Sequence, residues 1–419
     1  MNKEYIYING TSSVAIEKEK DVVIKVFIDG IEYSFDPKDK QDKTEFALKT
    51  KRNKYAQFLN NQFENLIILT GAGSSCGIGA DLDMGGGKTE SKKGKLLTQL
   101  WDDAVKLTTQ PKLDRFCQLV HYLDKDDKGN YIKNLEKLLS AANSAKNYVQ
   151  DPEKDDKKKI DINEVILSIE KLIKSQCELV LPDSSPHEIL LEKITKRKVT
   201  LPRAKIFTLN YDTLFEQAGR KKNFAIIDGF SFSFPRIFSG RNFDYDIVCR
   251  DKSRVKEEDN FITRVFHLYK IHGSVDWERR KGFIYQSEQV DKALMIYPKD
   301  SKYENSYDQP FFEMMSRFQQ SLRQENVILI CIGFSFNDKH IVTAIKEALE
   351  QNPSFQLMVI NKGIDNSSDN FKWLYDLSHS HSSIALVDEL YSEFAKYYPD
   401  LKSYNQNEHN KIVITSIES

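Results

Sequence analysis

Cysteine is scarce in this sequence and never closely paired. Its five copies, Cys76, Cys117, Cys177, Cys249 and Cys331, lie tens of residues apart and form no CxxC pair. That spacing gives a structural zinc site no support and suits a reducing compartment. Each cysteine reads first as a small buried apolar residue. A surplus of charge is also missing, since 61 basic and 62 acidic residues leave a net charge of −1. A balanced total provides no general attraction to nucleic acid or to an anionic membrane, so direct binding to either is not expected. Lys157, Lys158 and Lys159 form a short basic run, but Asp155 and Asp156 precede it, and the cluster reads as a solvated loop. No apolar run approaches the roughly 20 residues that span a bilayer. The start, MNKEYIYING, lacks the apolar core of a signal peptide, which leads to the expectation of a cytoplasmic protein.

What is present is enough apolar material for a core. Of 419 residues, 40% are hydrophobic and 29% charged, which argues against wholesale disorder. The length suits two or three domains, or one large domain with an insertion. Residues 1–50 read as a small β-rich element, in which segments 22–27 and 31–35 flank Asp29-Gly30, a dipeptide suited to a type I′ hairpin turn. Residues 51–65 read as helical. Residues 95–200 read as an inserted, mostly helical subdomain. Leu135, Leu138 and Leu139 share one helical face there, and Val165, Ile169, Leu172 and Ile173 share another. A polar stretch at about 143–160, containing DPEKDDKKK, reads as an exposed loop between them.

Short apolar, β-prone runs recur around this insertion, each ending in small or polar residues. Residues 66–70 lead into Gly71-Ala72-Gly73-Ser74-Ser75. Residues 205–209 lead into Asn210-Tyr211-Asp212, and 265–271 into His272-Gly273. Residues 327–332 lead into Gly333-Phe334-Ser335-Phe336-Asn337-Asp338, and 356–360 into Asn361. Such runs predict buried parallel strands, and open α/β sheets collect ligands at the carboxyl ends of their strands. The glycines at 71 and 73 permit a tight turn and close approach of a diphosphate, although a plain turn uses them equally well. Asn210 can hold a ribose hydroxyl or a water, or simply end the strand in an Asx turn. His272 is the residue type best suited to act as a base near neutrality. Asp338 reads as the N-cap of a helix from about 339 to 350. Gly87-Lys88-Thr89 ends like a P-loop, but its first glycine would fall at Leu82, and no strand directly precedes it.

Taken in order, these motifs resemble the sirtuin superfamily. GAGSS at 71–75 is similar to its first glycine turn, TLNYD at 208–212 to its asparagine–aspartate motif, and HG at 272–273 to its histidine motif. GFS at 333–335 and IN at 360–361 are similar to its late ribose and adenine-side motifs. NYD, GFSFND before a helix, the helical insertion, and His187 ahead of the NYD strand resemble the SIR2-like domain of bacterial anti-phage proteins in particular. The resemblance implies a Rossmann-like parallel sheet over about 51–400, an inserted helical subdomain, and a C-terminal tail at 401–419. It implies NAD as substrate, with no metal. Asn210, His272 and Asp212 would carry the chemistry. Gly71, Ala72, Gly73, Ser74, Thr208, Gly333, Ser335 and Asn361 would bind the dinucleotide.

Two departures bear on the activity. Deacylase sirtuins carry a four-cysteine zinc module after the histidine, whereas only Cys331 lies beyond His272 here. The GIPDFR stretch of sirtuins is replaced by Gly77-Ile78-Gly79-Ala80-Asp81-Leu82-Asp83, leaving open whether Asp81 or Asp83 faces the nicotinamide. Loss of the zinc module favours hydrolysis of NAD to nicotinamide and ADP-ribose over transfer to an acyl-lysine. The resemblance further implies NAD depletion in abortive anti-phage defence, a homo-oligomer, and a HerA-type ATPase as partner. The alternatives are a deacylase or ADP-ribosyltransferase, and a module that only binds NAD or ADP-ribose.

Overall fold

The computed structural model describes residues 3–36, 42–61, 63–83, 89–153, 159–249, 261–297, 309–365 and 369–400. Gly87, Lys88, Asp155 to Lys158 and the tail at 401–419 lie outside these residues, as does the Asp83 side chain.

Four N-terminal strands, β1 (Glu4–Asn9), β2 (Ser12–Glu19), β3 (Val22–Ile28) and β4 (Ile31–Glu32), form an antiparallel meander. Asp29 and Gly30 take φ of 52° and 85° between β3 and β4, the left-handed values that a type I′ turn requires. The helix expected at 51–65 is α1 (Lys43–Leu59), which starts earlier because Asp42 caps it, accepting from the Thr44 amide at 2.8 Å. Its apolar period is muted, since the buried face includes Lys51, whose ammonium donates to the Asp388 carbonyl at 2.8 Å.

Seven strands then run parallel: β5 (Asn65–Thr70), β6 (Lys205–Thr208), β7 (Ala225–Ile227), β8 (Val265–Lys270), β9 (Val327–Ile332), β10 (Gln356–Asn361) and β11 (Ile384–Asp388). With the meander they form one sheet in the order β4-β3-β2-β1-β11-β10-β9-β5-β6-β8-β7. The join is antiparallel, with Tyr7 opposite Val387 and Ile8 opposite Leu386. β9 is buried at all six positions, as a central strand covered on both faces must be.

Between β5 and β6 the chain makes the expected helical insertion: α2 (Leu97–Thr108), α3 (Gln110–Leu119), α4 (Leu135–Ala145) and α5 (Ile162–Cys177). Leu135, Leu138 and Leu139 of α4 and Val165, Ile169 and Ile173 of α5 are buried in a core of their own, with Leu172 at its margin. Tyr211 and Val275, from the loops after β6 and β8, belong to that same core. The insertion is therefore packed onto the strand ends. α6 (Pro186–Ile194) returns the chain to the sheet through a Ser185–Glu188 capping box.

The sheet is covered on both faces. Tyr55 of α1, Leu190 of α6, Phe215 of α7 (Leu214–Lys221) and Phe394 of α11 (Tyr391–Tyr397) pack on one face. Phe318 of α8 (Phe311–Leu322), Ile341 of α9 (Lys339–Gln351) and Leu374 of α10 (Asp369–Ser378) pack on the other. From β5 the chain builds outward to β6, β8 and β7, then crosses to β9 on the opposite side of β5. The switch point therefore lies between β5 and β9, where a doubly wound sheet opens a ligand crevice. Among the described residues no helix is long and apolar enough to cross a membrane.

Candidate functional site

The turns after β5 and β9 touch each other at this switch point. A Cβ on Gly71 would lie 2.7 Å from the Gly333 carbonyl oxygen, and one on Gly73 would lie 2.7 Å from the Gly333 Cα. Gly333 has φ of 61°, and a Cβ there would come within 2.5 Å of the Gly73 backbone. The Gly73 amide donates to the Gly333 carbonyl at 3.0 Å, and Gly71 donates to Ile332 at 3.0 Å. These three glycines are required by backbone against backbone, before any ligand is considered. The amides of Ser74, Ser75 and Cys76 also bond within the turn, to Gly71, Ala72 and Ala72. Ala72 stays exposed at the surface of the turn.

Asn210 is tied into the same turn. Its Nδ2 donates to the Gly71 carbonyl at 3.0 Å, Ser74 Oγ at 3.1 Å and Ser75 Oγ at 2.8 Å. A carbonyl acceptor fixes which amide atom is nitrogen, so Oδ1 is the atom left without a partner among the described residues. Ser75 Oγ donates in turn to Asp212 Oδ2 at 2.7 Å. Asp212 is buried, and its other oxygen accepts from the Leu214 amide at 3.1 Å at the start of α7. The result is a relay from Asp212 through Ser75 to Asn210, which holds the carboxamide in one orientation. Thr208 is also structural: its hydroxyl accepts from the Asn210 amide at 3.1 Å, and its carbonyl accepts from Ile271 at 3.0 Å.

The loop after β8 lies against the loop after β6. The Ile271 amide bonds to Thr208, and that of Val275 to Tyr211, at 3.0 Å each, bracketing His272 on both sides. Lys270, wholly buried, reaches under the same turn to the Asp212 and Tyr211 carbonyls and to Glu216 Oε1 at 3.0 Å. Burial pushes the Glu216 carboxyl up to about 7, opposed by the Lys270 charge.

His272 is 4% exposed, and its Nε2 lies 3.0 Å from Asp338 Oδ2. Asp338 does two jobs. One oxygen caps α9, accepting from His340 at 2.9 Å and Ile341 at 3.3 Å, and the other holds the histidine. If the carboxylate accepts from Nε2–H, the neutral ring keeps its lone pair on Nδ1, which has no partner among the described residues. Burial disfavours the imidazolium, but the hydrogen bond and charge of Asp338, together with the charge of Glu136, outweigh it and raise the histidine above 6.5. The same contact holds the Asp338 carboxyl below its usual range despite burial.

On the β9–β10 side, Ser335 is exposed, with its hydroxyl unengaged among the described residues, and Asn361 Nδ2 donates to the Phe334 carbonyl at 2.7 Å. Asn361 thereby supports the Gly333 turn. Thr70, the last residue of β5, is fully buried with its hydroxyl unpartnered, an orphaned polar atom at the crevice-side end of the strand. A glycine cradle that admits no Cβ, a committed Asn210 with a free carbonyl oxygen, and an exposed Ser335 together suit a nucleotide. Asp81 is exposed and pairs with Lys93 at 3.2 Å. His187 lies under the sheet on α6, edge-on to Phe215 and Tyr391 at ring distances of 4.7 and 5.1 Å, with neither ring nitrogen bonded among the described residues. Burial lowers it to about 4.

Residues 204–375 match the SIR2-like domain. The match runs from β6 to α10 and takes in Asn210, Asp212, His272, Gly333, Ser335, Asp338 and Asn361, so it supports a place in the SIR2-like superfamily. SIR2-like domains bind NAD as substrate, and the mixed α/β sheet of this chain is consistent with a Rossmann-like SIR2 fold. No curated protein matches the chain. Among the described residues no cluster of three or more His, Cys, Asp or Glu side chains is arranged to hold a metal ion. Three residues around the candidate site are not evident from motif spacing: Asp338 as the histidine's partner, Lys270 beneath the turn, and Glu136 from the insertion.

Proposed function

We propose that this SIR2-like chain is an NAD glycohydrolase that breaks the bond between nicotinamide and ribose. The observation that carries the reading is the pair of oriented groups at one switch point: Asn210, held by Asp212 through Ser75, and His272, held by Asp338. NAD lies across the strand ends, its diphosphate near the Gly71–Ser74 turn and its adenosine side near Ser335 and Asn361. The C–N bond breaks with its electron pair leaving on nicotinamide, and the ribose becomes oxocarbenium-like, as in glycoside cleavage. Asn210 Oδ1 accepts from a ribose hydroxyl or from the attacking water. His272 Nδ1 takes the proton as the water oxygen bonds to the anomeric carbon, giving ADP-ribose. Asp212 acts through Ser75 and touches no substrate.

Water is the acceptor in this reading because the sequence beyond His272 contains only Cys331 and cannot build the cysteine module that deacylases place there. The biological role that fits is depletion of cellular NAD in anti-phage defence, with activity governed by assembly of the chain with itself and with a HerA-type ATPase. The test is chromatography of nicotinamide and ADP-ribose after incubation with NAD, with and without such an ATPase. Wild-type chain releases nicotinamide without any peptide acceptor. Asn210→Ala and His272→Ala lower the rate by about 10²–10⁴ while the fold survives. Unchanged turnover in both variants would sink the assignment, and nicotinamide release only with an acylated peptide would favour the deacylase.

A further inference from the structure

The helical insertion fastens the tyrosine that lies beside the candidate base. Glu136 stands in the first turn of α4 and accepts from the Tyr211 hydroxyl at 2.8 Å. That hydroxyl also lies 3.1 Å from the Ile296 carbonyl, and the Ile296 amide donates to the His272 carbonyl at 2.8 Å. The Tyr211 ring sits 6.5 Å from the His272 ring. Tyr211 is thus shared: it follows Asn210 in the chain, packs in the core of the insertion, and is fastened at its tip by α4. Glu136 has no lysine or arginine partner among the described residues. A carboxylate withdrawn from water normally acquires one. Burial pushes the Glu136 carboxyl above its ordinary value, opposed by the charge of the His272 imidazolium and by the Tyr211 hydrogen bond, and the Glu136 charge in turn helps to raise His272.

We propose that Glu136 is a positioning residue for His272, fixing Tyr211 beside the imidazole and adding a second carboxylate to it, so that the helical insertion helps decide when the histidine holds a proton. The inference rests on the reading of His272 as the base. The charged and titratable groups around the pair are Asp338 at the start of α9, Tyr211 after β6, and Tyr297, Glu170 and Cys177 on the insertion side. Two features make Glu136 separable from the rest. Glutamine at 136 keeps an acceptor for Tyr211 and removes only the charge. Phenylalanine at 211 keeps the ring and removes only the tether.

The test follows the His272 Cε1–H signal by NMR in the full chain, assigned by its loss in His272→Ala. In Glu136→Gln the titration midpoint falls by about half to one unit, because an opposite charge near an imidazole raises it. Tyr211→Phe lowers it in the same direction as Glu136 loses its anchor. The acid limb of NAD turnover, which reports neutral His272, moves to lower pH by the same amount. A midpoint that stays within about 0.2 unit of wild type in Glu136→Gln overturns the proposal, even if the variant is less stable, since a purely structural glutamate changes melting without moving the histidine. The NMR midpoint decides the placement of Glu136 whether or not NAD is consumed. Absence of turnover in the wild type overturns the base reading alone.

Discussion

At the scale of single residues, the informative side chains are those with two duties. Asp338 caps α9 with one oxygen and holds His272 with the other. Asparagine is an equally good N-cap, so Asp338→Asn separates the duties. The helix stays, the charge beside the histidine goes, and the ring loses its fixed tautomer. We expect kcat to fall by about 10²–10⁴ with little change in melting temperature. The sign of the pH effect follows from the direction of the shift. Asp338 raises His272, so its loss lowers the histidine and moves the acid limb of kcat/KM to lower pH. A limb that stays in place in Asp338→Asn would show that another group titrates. The sequence disclosed half of this residue: a carboxylate before a helix reads as a cap, and nothing in the spacing reports what its second oxygen meets. Asn210 and His272 were legible as strand-end polar residues. Ser75, between Asn210 and Asp212, was legible only as part of a glycine turn, because its partners are 135 and 137 residues away in the chain.

At the scale of elements, the strand-end loops are held by a buried ion pair. Lys270 closes β8, and its ammonium serves two carbonyls of the turn after β6 as well as Glu216 of α7. Removing the lysine leaves a buried carboxylate and two carbonyls uncompensated. Lys270→Met is therefore expected to destabilise the chain by about 3–5 kcal/mol, measured by denaturant unfolding. Pairing it with Glu216→Leu should recover much of that loss. Failure of the double variant to recover would mean that the turn carbonyls, and not the carboxylate, dominate the cost. The parallel strands were readable because β9 is six consecutive apolar residues, and β5, β6, β8 and β10 each end at small or polar residues. β11 carries a weaker signal, since its five residues follow a run of Ser and His and have no turn motif after them. β1 and β2 lack the period-2 alternation that marks a half-buried strand, since residues 6–8 and 13–16 are each buried in a consecutive run.

At the scale of the whole molecule, the N-terminal meander is continuous with the sheet that carries the site. β1 covers what would otherwise be the open edge of β11, and α1 packs across β2 and β3. An uncovered hydrophobic edge invites pairing with another chain. Removal of residues 1–36 is expected to make the chain aggregate, seen by size-exclusion chromatography and light scattering. A truncated chain that stays monodisperse with unchanged melting would show that the meander is dispensable. The three glycines at the switch point have a consequence of another kind. Gly333 sits far along the chain from Gly71 and Gly73, yet its backbone meets theirs with no room for a side chain. A glycine codon becomes a side chain with any change at its first or second base. If the chain drains NAD from the cell that expresses it, random mutagenesis followed by selection for survivors should return missense changes at all three codons, while neighbouring Ala72, exposed on the same turn, should recur far less often.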